Sequence, residues 1–290
     1  MPDLARRPAV APLVRLAAYA LESDHGRRPA TVWSAPYTFH LGSPRLVAAV
    51  HWSVVVAAAP RDDGTARLSS AADPAQGCEL PLTGRYPPPP GWAVRVHTLL
   101  RAMAHAGYGR GGLDLHVQAA LPAAAGLAGE ESLACAVALA VADLHAASGA
   151  PRPSHARLAA LVRAGARGGG DALRRGVLSA RPGTALRLTE RTQTYVSFDP
   201  AESGDRLVLL ATRGERRAAH AGHAVDRALR AGARRAWWPA VVPGRSAVLL
   251  MPHDRLPAVR TAVTEDFRAR GRAAPRFVNL TVAGAARREG

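Results

Sequence analysis

The stretch from Leu121 to Leu144, LPAAAGLAGEESLACAVALAVADL, most constrains the fold of this chain. Its spacing predicts a small-residue turn followed by a long apolar helix. The start of a helix presents free backbone amides and a partial positive charge, so a junction of this kind suits a phosphate. Two carboxylates, Glu130 and Glu131, stand at the helix start, where a bound phosphate would lie. The stretch is therefore a phosphate loop, an altered phosphate loop, or a helix with acidic residues in its first turn.

The composition is that of a globular protein. The chain has 290 residues, 48% of them hydrophobic, enough for one large or two smaller domains. No run approaches eighteen apolar residues, and the first thirty residues lack a signal-peptide pattern, so we expect a cytoplasmic protein and no membrane partner. The two cysteines, Cys78 and Cys135, form no metal-binding pattern. Because Cys135 lies in the apolar helix, we expect a buried free thiol there.

The net charge of +16 raises the question of nucleic-acid binding. Every basic residue is arginine, and abundant arginine with abundant alanine is typical of a genome of high G+C content. The arginines are dispersed, and aromatic residues make up only 5% of the chain, too few for an obvious base-stacking surface. These features argue against a specific nucleic-acid partner. The absence of lysine also excludes a Walker-type loop and any Schiff-base mechanism.

The apolar patterns predict strands and helices in an order that fits a two-domain α+β protein. Strands are expected at Val54–Val56 and at 113–119, with His116 on the more polar side of the second as an ordinary surface histidine. Ser154 is expected to cap a helix over 154–166. The remaining predicted elements are a helix over 8–21, a helix over 91–106, three short strands between 183 and 212, helices over 215–231 and 257–270, and strands over 246–251 and 276–282.

The opening stretch resembles the phosphate loop of the GHMP small-molecule kinases, and of galactokinases in particular. That family carries Pro-x-x-x-Gly-Leu-Ser-Ser-Ser before an alanine-rich helix, and Pro122, Ala125, Gly126 and Leu127 match its first part. The flanking sequence over 92–122 is similar to the helix and strand that lead into the family's loop. APYTFHLGSPR (35–45) stands where galactokinases have their first motif, and 243–271 is similar to the region of the third, glycine-rich motif.

The resemblance implies a two-domain α+β fold of the GHMP-kinase type. The N-terminal domain would span 1–180, with the altered phosphate loop at 121–132, and the C-terminal domain would span 181–290. It also implies ATP and Mg²⁺ as cofactors if the protein is active, and a small sugar as a partner. The residues expected at the nucleotide are Pro122, Ala125, Gly126, Leu127, Gly129, Ser132 and Gly244.

The motifs depart from the family at the positions that carry its chemistry. Thr38 stands at the family's arginine, and Pro44 and Arg45 stand where it has glutamate and histidine. Ala128, Gly129 and Glu130 replace the three serines. Counting back from GTAL without a gap puts Leu173 at the place of the catalytic aspartate. Asp171 takes that role only if two residues are inserted.

Glu130 allows two interpretations. Its charge repels a phosphate, or it ligates Mg²⁺ itself. Three functional hypotheses follow for the chain. The first is a galactokinase-like protein with impaired catalysis that acts as a sensor, a scaffold or a binding partner of an unidentified protein. The second is an active kinase of altered specificity, with Asp171 as its catalytic acid. The third is an arginine-rich protein associated with nucleic acid.

Overall fold

The structure is a computed structural model, and it describes residues 4–43, 45–85, 89, 91–121, 127–165, 170–212, 218–239 and 245–289. Within these ranges the chain forms two β-sheets with helices packed on them. The α-helices are α1 Pro12–His25, α2 Ala93–His105, α3 Gly129–Ala147, α4 His155–Gly165, α5 Asp171–Ser179, α6 Ala218–Arg230 and α7 Leu256–Ala269.

The first sheet contains most of the described strands. They are β1 Thr31–His40, β2 Leu46–Pro60, β3 Thr65–Ser70, β4 Cys78–Pro81, β5 Gly112–Ala119, β6 Thr184–Leu188, β7 Gln193–Ser197 and the short C-terminal β12 Arg287–Arg288. The order is β12-β1-β2-β5-β3-β4, while β6 pairs with β2 and β7 pairs with β6. All pairs are antiparallel except β3 with β5. This mixed pairing agrees with the expected α+β class.

Both faces of the first sheet are covered, which explains the continuous apolar run in β2. Val54 and Val56 face the main core with α2 and α3, whereas Val55 packs with α1 on the opposite face. All three valines are buried, as the sequence predicted. A strand that is buried on both faces needs no polar alternation.

The expectation that His116 is an ordinary surface histidine is wrong. His116 is only 2% exposed. Its Nδ1 lies 2.9 Å from Ser69 Oγ and 3.1 Å from Asp24 Oδ2 at the end of α1. The polar side of β5 is covered by α1, and the short apolar pattern of α1 gave no indication of where that helix would pack.

The second sheet is smaller and entirely antiparallel. Its order is β11-β8-β10-β9, with β8 Asp205–Ala211, β9 Arg235–Trp237, β10 Ser246–Pro252 and β11 Arg276–Leu280. The helices α6 and α7 pack on it around a separate apolar core that includes Phe267. Apart from the short β12, the strands of the first sheet thus end at Ser197 in β7, and those of the second sheet begin at Asp205. The domain boundary at 180/181 stays a prediction.

The helix α3 is the centre of the first domain. Its residues from Cys135 to Ala142 are all buried, so nearly every side of this stretch contacts protein. Cys135 is a buried free thiol, as predicted, and burial raises the pKa of its thiol to about 12. Ser154 caps α4 as predicted, because its Oγ accepts a hydrogen bond from the backbone N–H of Arg157 at 3.2 Å.

Candidate functional site

The candidate site lies where three elements meet: the end of β1, the first turns of α3 and the start of α5. Contacts of α3 and α5 with β1 hold these elements together. Part of the predicted site lies outside the described residues, namely Pro122, Ala125, Gly126 and Gly244, together with Pro44 of the first motif. The geometry below therefore rests on the remaining residues.

The entry to α3 is fixed by Tyr37 on β1. Its phenol donates a hydrogen bond to the Leu121 carbonyl at 3.1 Å, and burial raises its pKa to about 12. Gly129, the first residue of α3, lies so close to the Tyr37 ring that a Cβ would stand 2.9 Å from it. Leu127 is buried in the main core. A side chain would therefore not fit at Gly129, the first residue of α3.

Ser132 anchors α3 to β1. Its hydroxyl is buried and donates to the Pro36 carbonyl at 2.7 Å, and it also lies 3.0 Å from the Ala128 carbonyl. The bond to Pro36 lies beside the irregular pairing of β1 with β2 between Pro36 and Tyr37. The described contacts of this hydroxyl are thus with protein backbone.

Glu130 points away from the core at the N-terminus of α3. Its carboxylate forms an ion pair with the guanidinium of Arg95, on the first turn of α2, and both side chains are more than half exposed. An exposed pair of this kind contributes about 0–1 kcal/mol to stability. The carboxylate lies at the anion-binding end of the helix, as the sequence indicated.

Thr38 meets the carbonyl of Leu173. The Thr38 hydroxyl donates to it over 3.4 Å, and both side chains are buried. The helix α5 comes so close to β1 and β2 here because Gly176 has no side chain: a Cβ would stand 2.7 Å from Val47 Cγ1 and 3.2 Å from Thr38 Cγ2. The two positions that the sequence comparison gave to the family's charged residues are therefore in contact, and both carry uncharged side chains.

Asp171 lies elsewhere on α5. It is the first residue of that helix, partly exposed, and its Oδ2 is 3.2 Å from Arg175 Nε. Together with Arg175, Arg163, His155 and Gln193 it lines a surface cavity of about 380 Å³ between α4, α5 and β7. Its role as a catalytic acid stays a prediction, and so does metal ligation by Glu130.

Three further polar residues lie at the same junction, and the sequence analysis noted only one of them, Glu131, as a carboxylate in the first turn of the helix. Glu131 lies against Gly170, so that any side chain at position 170 would overlap its carboxylate. His40 and Arg174 are 8% and 2% exposed, yet His40 Nδ1 and Arg174 Nε have no hydrogen-bond partner in the described part of the chain. His40 stands inside the first motif and could have been noticed there. No sequence signal pointed to Arg174, because it is one of many arginines.

The second sheet closes one side of the junction through Trp237 on β9. The Trp237 ring packs against Phe39 of β1 and Phe198, with ring centroids 6.5 and 6.2 Å apart. It also contacts Gly42, where a Cβ would stand 3.4 Å from Trp237 Cδ1. The end of β1 in the first sheet thus contacts the second sheet through Trp237.

Comparisons with known proteins agree with this arrangement. Galactokinase from Streptomyces coelicolor is 31% identical over 202 residues, which are 65% of this chain and 52% of that protein. The galactokinase of Lactococcus lactis, solved with galactose, superposes with a TM-score of 0.76 at 13% identity, over 93% of this chain and 98% of that one. The chain is therefore galactokinase-like in part of its sequence, and its fold is similar to that of solved GHMP kinases.

Solved structures of other small-molecule kinases have a similar fold. A homoserine kinase from Cytophaga hutchinsonii superposes with a TM-score of 0.63 at 14% identity, over 89% of this chain and 97% of that one. The mevalonate kinase of Methanococcus jannaschii does so with a TM-score of 0.60 at 9% identity, over 87% and 98%. No protein-family profile matches the chain. The chain spans about half the length of the curated galactokinase it matches.

Two further observations concern partners of this galactokinase-like chain. In the described part of the chain, no helix is long and apolar enough to cross a membrane. The same residues contain no group of three or more His, Cys, Asp or Glu side chains arranged to hold a metal ion. The pair His220 and His223 is only partly described, and His223 Nε2 lies 3.4 Å from Asp266.

Proposed function

We propose that this protein is a galactokinase-like sugar-binding protein that does not transfer a phosphoryl group from ATP to the sugar. It would act as a sensor or as a partner of another protein in the cytoplasm. The observation that carries the proposal is the contact between Thr38 and Leu173. Galactokinases have an arginine and an aspartate at the corresponding places, according to the motif comparison.

Phosphoryl transfer depends on positioned charges. It needs cations that stabilise the transferred group and an acid that orients the attacking hydroxyl. Thr38 supplies neither a cation nor an acid, and its hydroxyl donates a hydrogen bond to the Leu173 carbonyl. The Leu173 side chain is apolar and buried. A sugar hydroxyl beside these residues would have no acid to accept its proton and no cation from position 38.

The described residues of the phosphate loop do not fit ATP and Mg²⁺ as the family's serines do. Ala128 and Gly129 have no side-chain oxygen, and the Ser132 hydroxyl is bonded to backbone. Glu130 places a carboxylate at the helix start. At about 5 Å from a phosphate, this charge costs about 3 kcal/mol at an effective dielectric constant of 20. Such a cost corresponds to more than about a hundredfold in affinity.

A sugar is the ligand class that the relatives support. The Lactococcus lactis galactokinase was solved with galactose. By the motif comparison the end of β1 corresponds to the family's first motif, and Phe39 there packs against Trp237 of the second sheet. Polar groups beside an aromatic ring suit a small hydroxylated molecule.

The proposal is tested by measuring turnover and binding on the same preparation. ADP release is followed with ATP, Mg²⁺ and galactose, and calorimetry measures ATP–Mg²⁺ and galactose separately. We expect galactose binding, no sugar-dependent ADP release and no micromolar ATP binding. Sugar-dependent ADP release at a rate within the usual enzyme range would overturn the proposal.

An active kinase of altered specificity is the second candidate, because Asp171 lines a cavity together with two arginines. In this alternative Asp171 is the catalytic acid, and Gly126, Gly129 and Ser132 remain around the phosphates of ATP. The Asp171→Asn variant then loses turnover, whereas an Asp254→Asn variant on the distant surface keeps it. If the wild-type protein shows no turnover with any sugar, this alternative fails.

A further inference from the structure

The surface cavity between α4 and α5 lies on the side of α5 that faces away from β1. Gly176 faces the first sheet, since a Cβ there would meet Val47 and Thr38. Leu178 lines the cavity and follows two residues later, a turn of about 200° around the helix, so it lies on the opposite side of α5. The cavity has a volume of about 380 Å³, within the range of small-molecule sites. It is therefore separate from the junction of β1, α3 and α5.

Two arginines give this cavity an excess of positive charge. Both Arg163 of α4 and Arg175 of α5 line it. Arg175 Nε lies 3.2 Å from Asp171 Oδ2, one turn earlier on the same helix. Arg163 is exposed and forms no ion pair with any residue that the structure describes. One carboxylate does not compensate two guanidinium groups, so an anion is the complement of this cavity.

Part of the cavity wall is apolar. Three alanines of α4 contribute to it together with Leu178, and they are Ala156, Ala159 and Ala160. An apolar surface with a few charged and polar groups is typical of sites for organic molecules. An inorganic ion would leave this surface in contact with water, whereas a ligand with an apolar body would cover it.

The part of the wall that β7 contributes is held by hydrogen bonds. The Tyr195 hydroxyl donates to the Ser179 carbonyl at 2.9 Å, which ties β7 to α5. The Tyr195 oxygen accepts a hydrogen bond from Gln193 Nε2 at 3.2 Å, and Gln193 lines the cavity. These bonds fix the Gln193 amide before a ligand arrives, which lowers the entropic cost of binding.

We propose that the cavity between α4 and α5 is a binding site for a small organic anion with a compact apolar body. Arg163 and Arg175 bind its carboxylate or phosphate, to which a guanidinium offers two parallel N–H donors. Asp171 is a positioning residue that holds Arg175. The apolar body lies against the alanines of α4. This site goes beyond the proposed function, because Thr38 and the end of β1 lie on the other side of α5.

Four probes test the site in the full-length protein, by ligand-observed NMR titration at constant ionic strength. Benzoate and phenyl phosphate carry the two anionic groups, benzyl alcohol is the neutral counterpart, and inorganic phosphate lacks the apolar body. We expect at least one of the two organic anions to bind about tenfold or more tightly than benzyl alcohol and inorganic phosphate. Saturating galactose should leave this affinity unchanged.

Substitutions assign the binding to the cavity. Arg163→Met and Arg175→Met should each weaken the organic anion about threefold or more, and Ala156→Leu should weaken it by filling the cavity. Arg157→Met is the matched control, because it removes an exposed arginine of the same helix that does not line the cavity. It should leave the affinity unchanged. Thermal unfolding of each variant confirms that it is folded, and Arg163 and Ala156 are exposed positions where little stability is at stake.

Several results would overturn the site. Equal affinity for benzyl alcohol or inorganic phosphate removes the need for an anion or for an apolar body. An equal loss in Arg157→Met and Arg163→Met shows only the general attraction of a basic surface for anions. Displacement by galactose places the anion in the sugar site instead. Binding of neither organic anion refutes the site and leaves the proposed function standing, whereas sugar-dependent ADP release refutes the proposed function and leaves this site standing.

Discussion

Arg95 on α2 forms an ion pair with Glu130 at the first turn of α3. A carboxylate of the chain itself therefore occupies the end of the helix that attracts anions. Both side chains are more than half exposed, and the pair is therefore weak. The ion pair matters because of its position at the start of α3. In the proposed function Glu130 would repel an incoming phosphate, and its ion pair also engages Arg95, a cation that would otherwise be available to that phosphate.

Glu130→Ser should make nucleotide binding stronger. The substitution removes the repulsion, restores a hydroxyl and releases Arg95, and we expect a gain of about 2–4 kcal/mol in the free energy of ATP–Mg²⁺ binding. Calorimetry measures this gain. Serine is tolerated at a helix start, so the stability of α3 should change little. Sugar phosphorylation should stay absent because Thr38 and Leu173 are unchanged.

The double variant Arg95→Met/Glu130→Ser is the matched control for that experiment. If the released arginine contributes, the double variant binds ATP less tightly than Glu130→Ser alone. A wild-type protein that binds ATP well, and loses affinity in Glu130→Ser, would identify Glu130 as a metal ligand and favour the active-kinase alternative. If neither protein binds ATP, the altered third motif is the remaining cause.

Leu173→Asp should destabilise the protein by about 2–4 kcal/mol, because it places an unpaired carboxylate at a buried position beside Thr38. Thr38→Arg should also be destabilising, since the same site is closed by Gly176. Because Thr38 Oγ1 lies 3.4 Å from the Leu173 carbonyl, we expect the two opposite charges to attract, so the double variant should be less destabilised than the sum of the single variants. Urea unfolding of all four proteins gives the coupling. Simple additivity would mean that the two positions do not face each other.

The sequence predicted those elements whose apolar pattern alone determines them. The apolar run from Leu133 to Ala142 predicted a long apolar helix, and α3 forms it. The N-cap at Ser154 was also predicted, because it is a hydrogen bond between residues close in the chain. These features depend on neighbours in the chain.

The errors and omissions concern contacts between elements that are distant in the chain. His116 looked exposed because nothing in β5 reveals that α1 covers it from about ninety residues away. Arg174 and His40 have no local pattern that marks them as buried. Their position depends on how α5 packs on β1, which is decided by the missing side chain of Gly176. Pairing of distant elements is the part that a single sequence specifies least directly.

Asp143, near the end of α3, should be important for holding the C-terminal strand. Its Oδ2 accepts hydrogen bonds from Thr31 Oγ1 and Trp33 Nε1, both at 2.8 Å, and its carboxylate pairs with Arg288 and Arg152. Asp143→Asn keeps the size but removes the charge, and we expect a loss of about 2–4 kcal/mol in unfolding free energy.

Hydrogen exchange distinguishes this role from a general loss of stability. The Asp143→Asn variant should show faster exchange in β12 and in the start of β1, with the second sheet unaffected under conditions that favour local opening. Arg235→Met, which removes an exposed arginine from the second sheet, serves as the comparison. Equal acceleration in both sheets would contradict a local role for Asp143.

Acidification should destabilise the protein through its buried histidines, and His116 allows this to be measured. Burial lowers the pKa of His116 below its usual 6.5, and the Asp24 charge only partly opposes this. Below pH 6.5 the unfolded chain therefore binds a proton that the folded state does not. The free energy of unfolding is then fully present above about pH 6.5 and falls as the pH drops towards the lowered pKa.

His116→Asn removes this titration beside Asp24, Ser69 and His25, although it also changes their hydrogen bonds. We expect urea unfolding at pH 7.0 and pH 5.5 to show a smaller pH-dependent loss in His116→Asn than in the wild type. An equal loss in both proteins would mean that His116 titrates alike in the folded and unfolded chains.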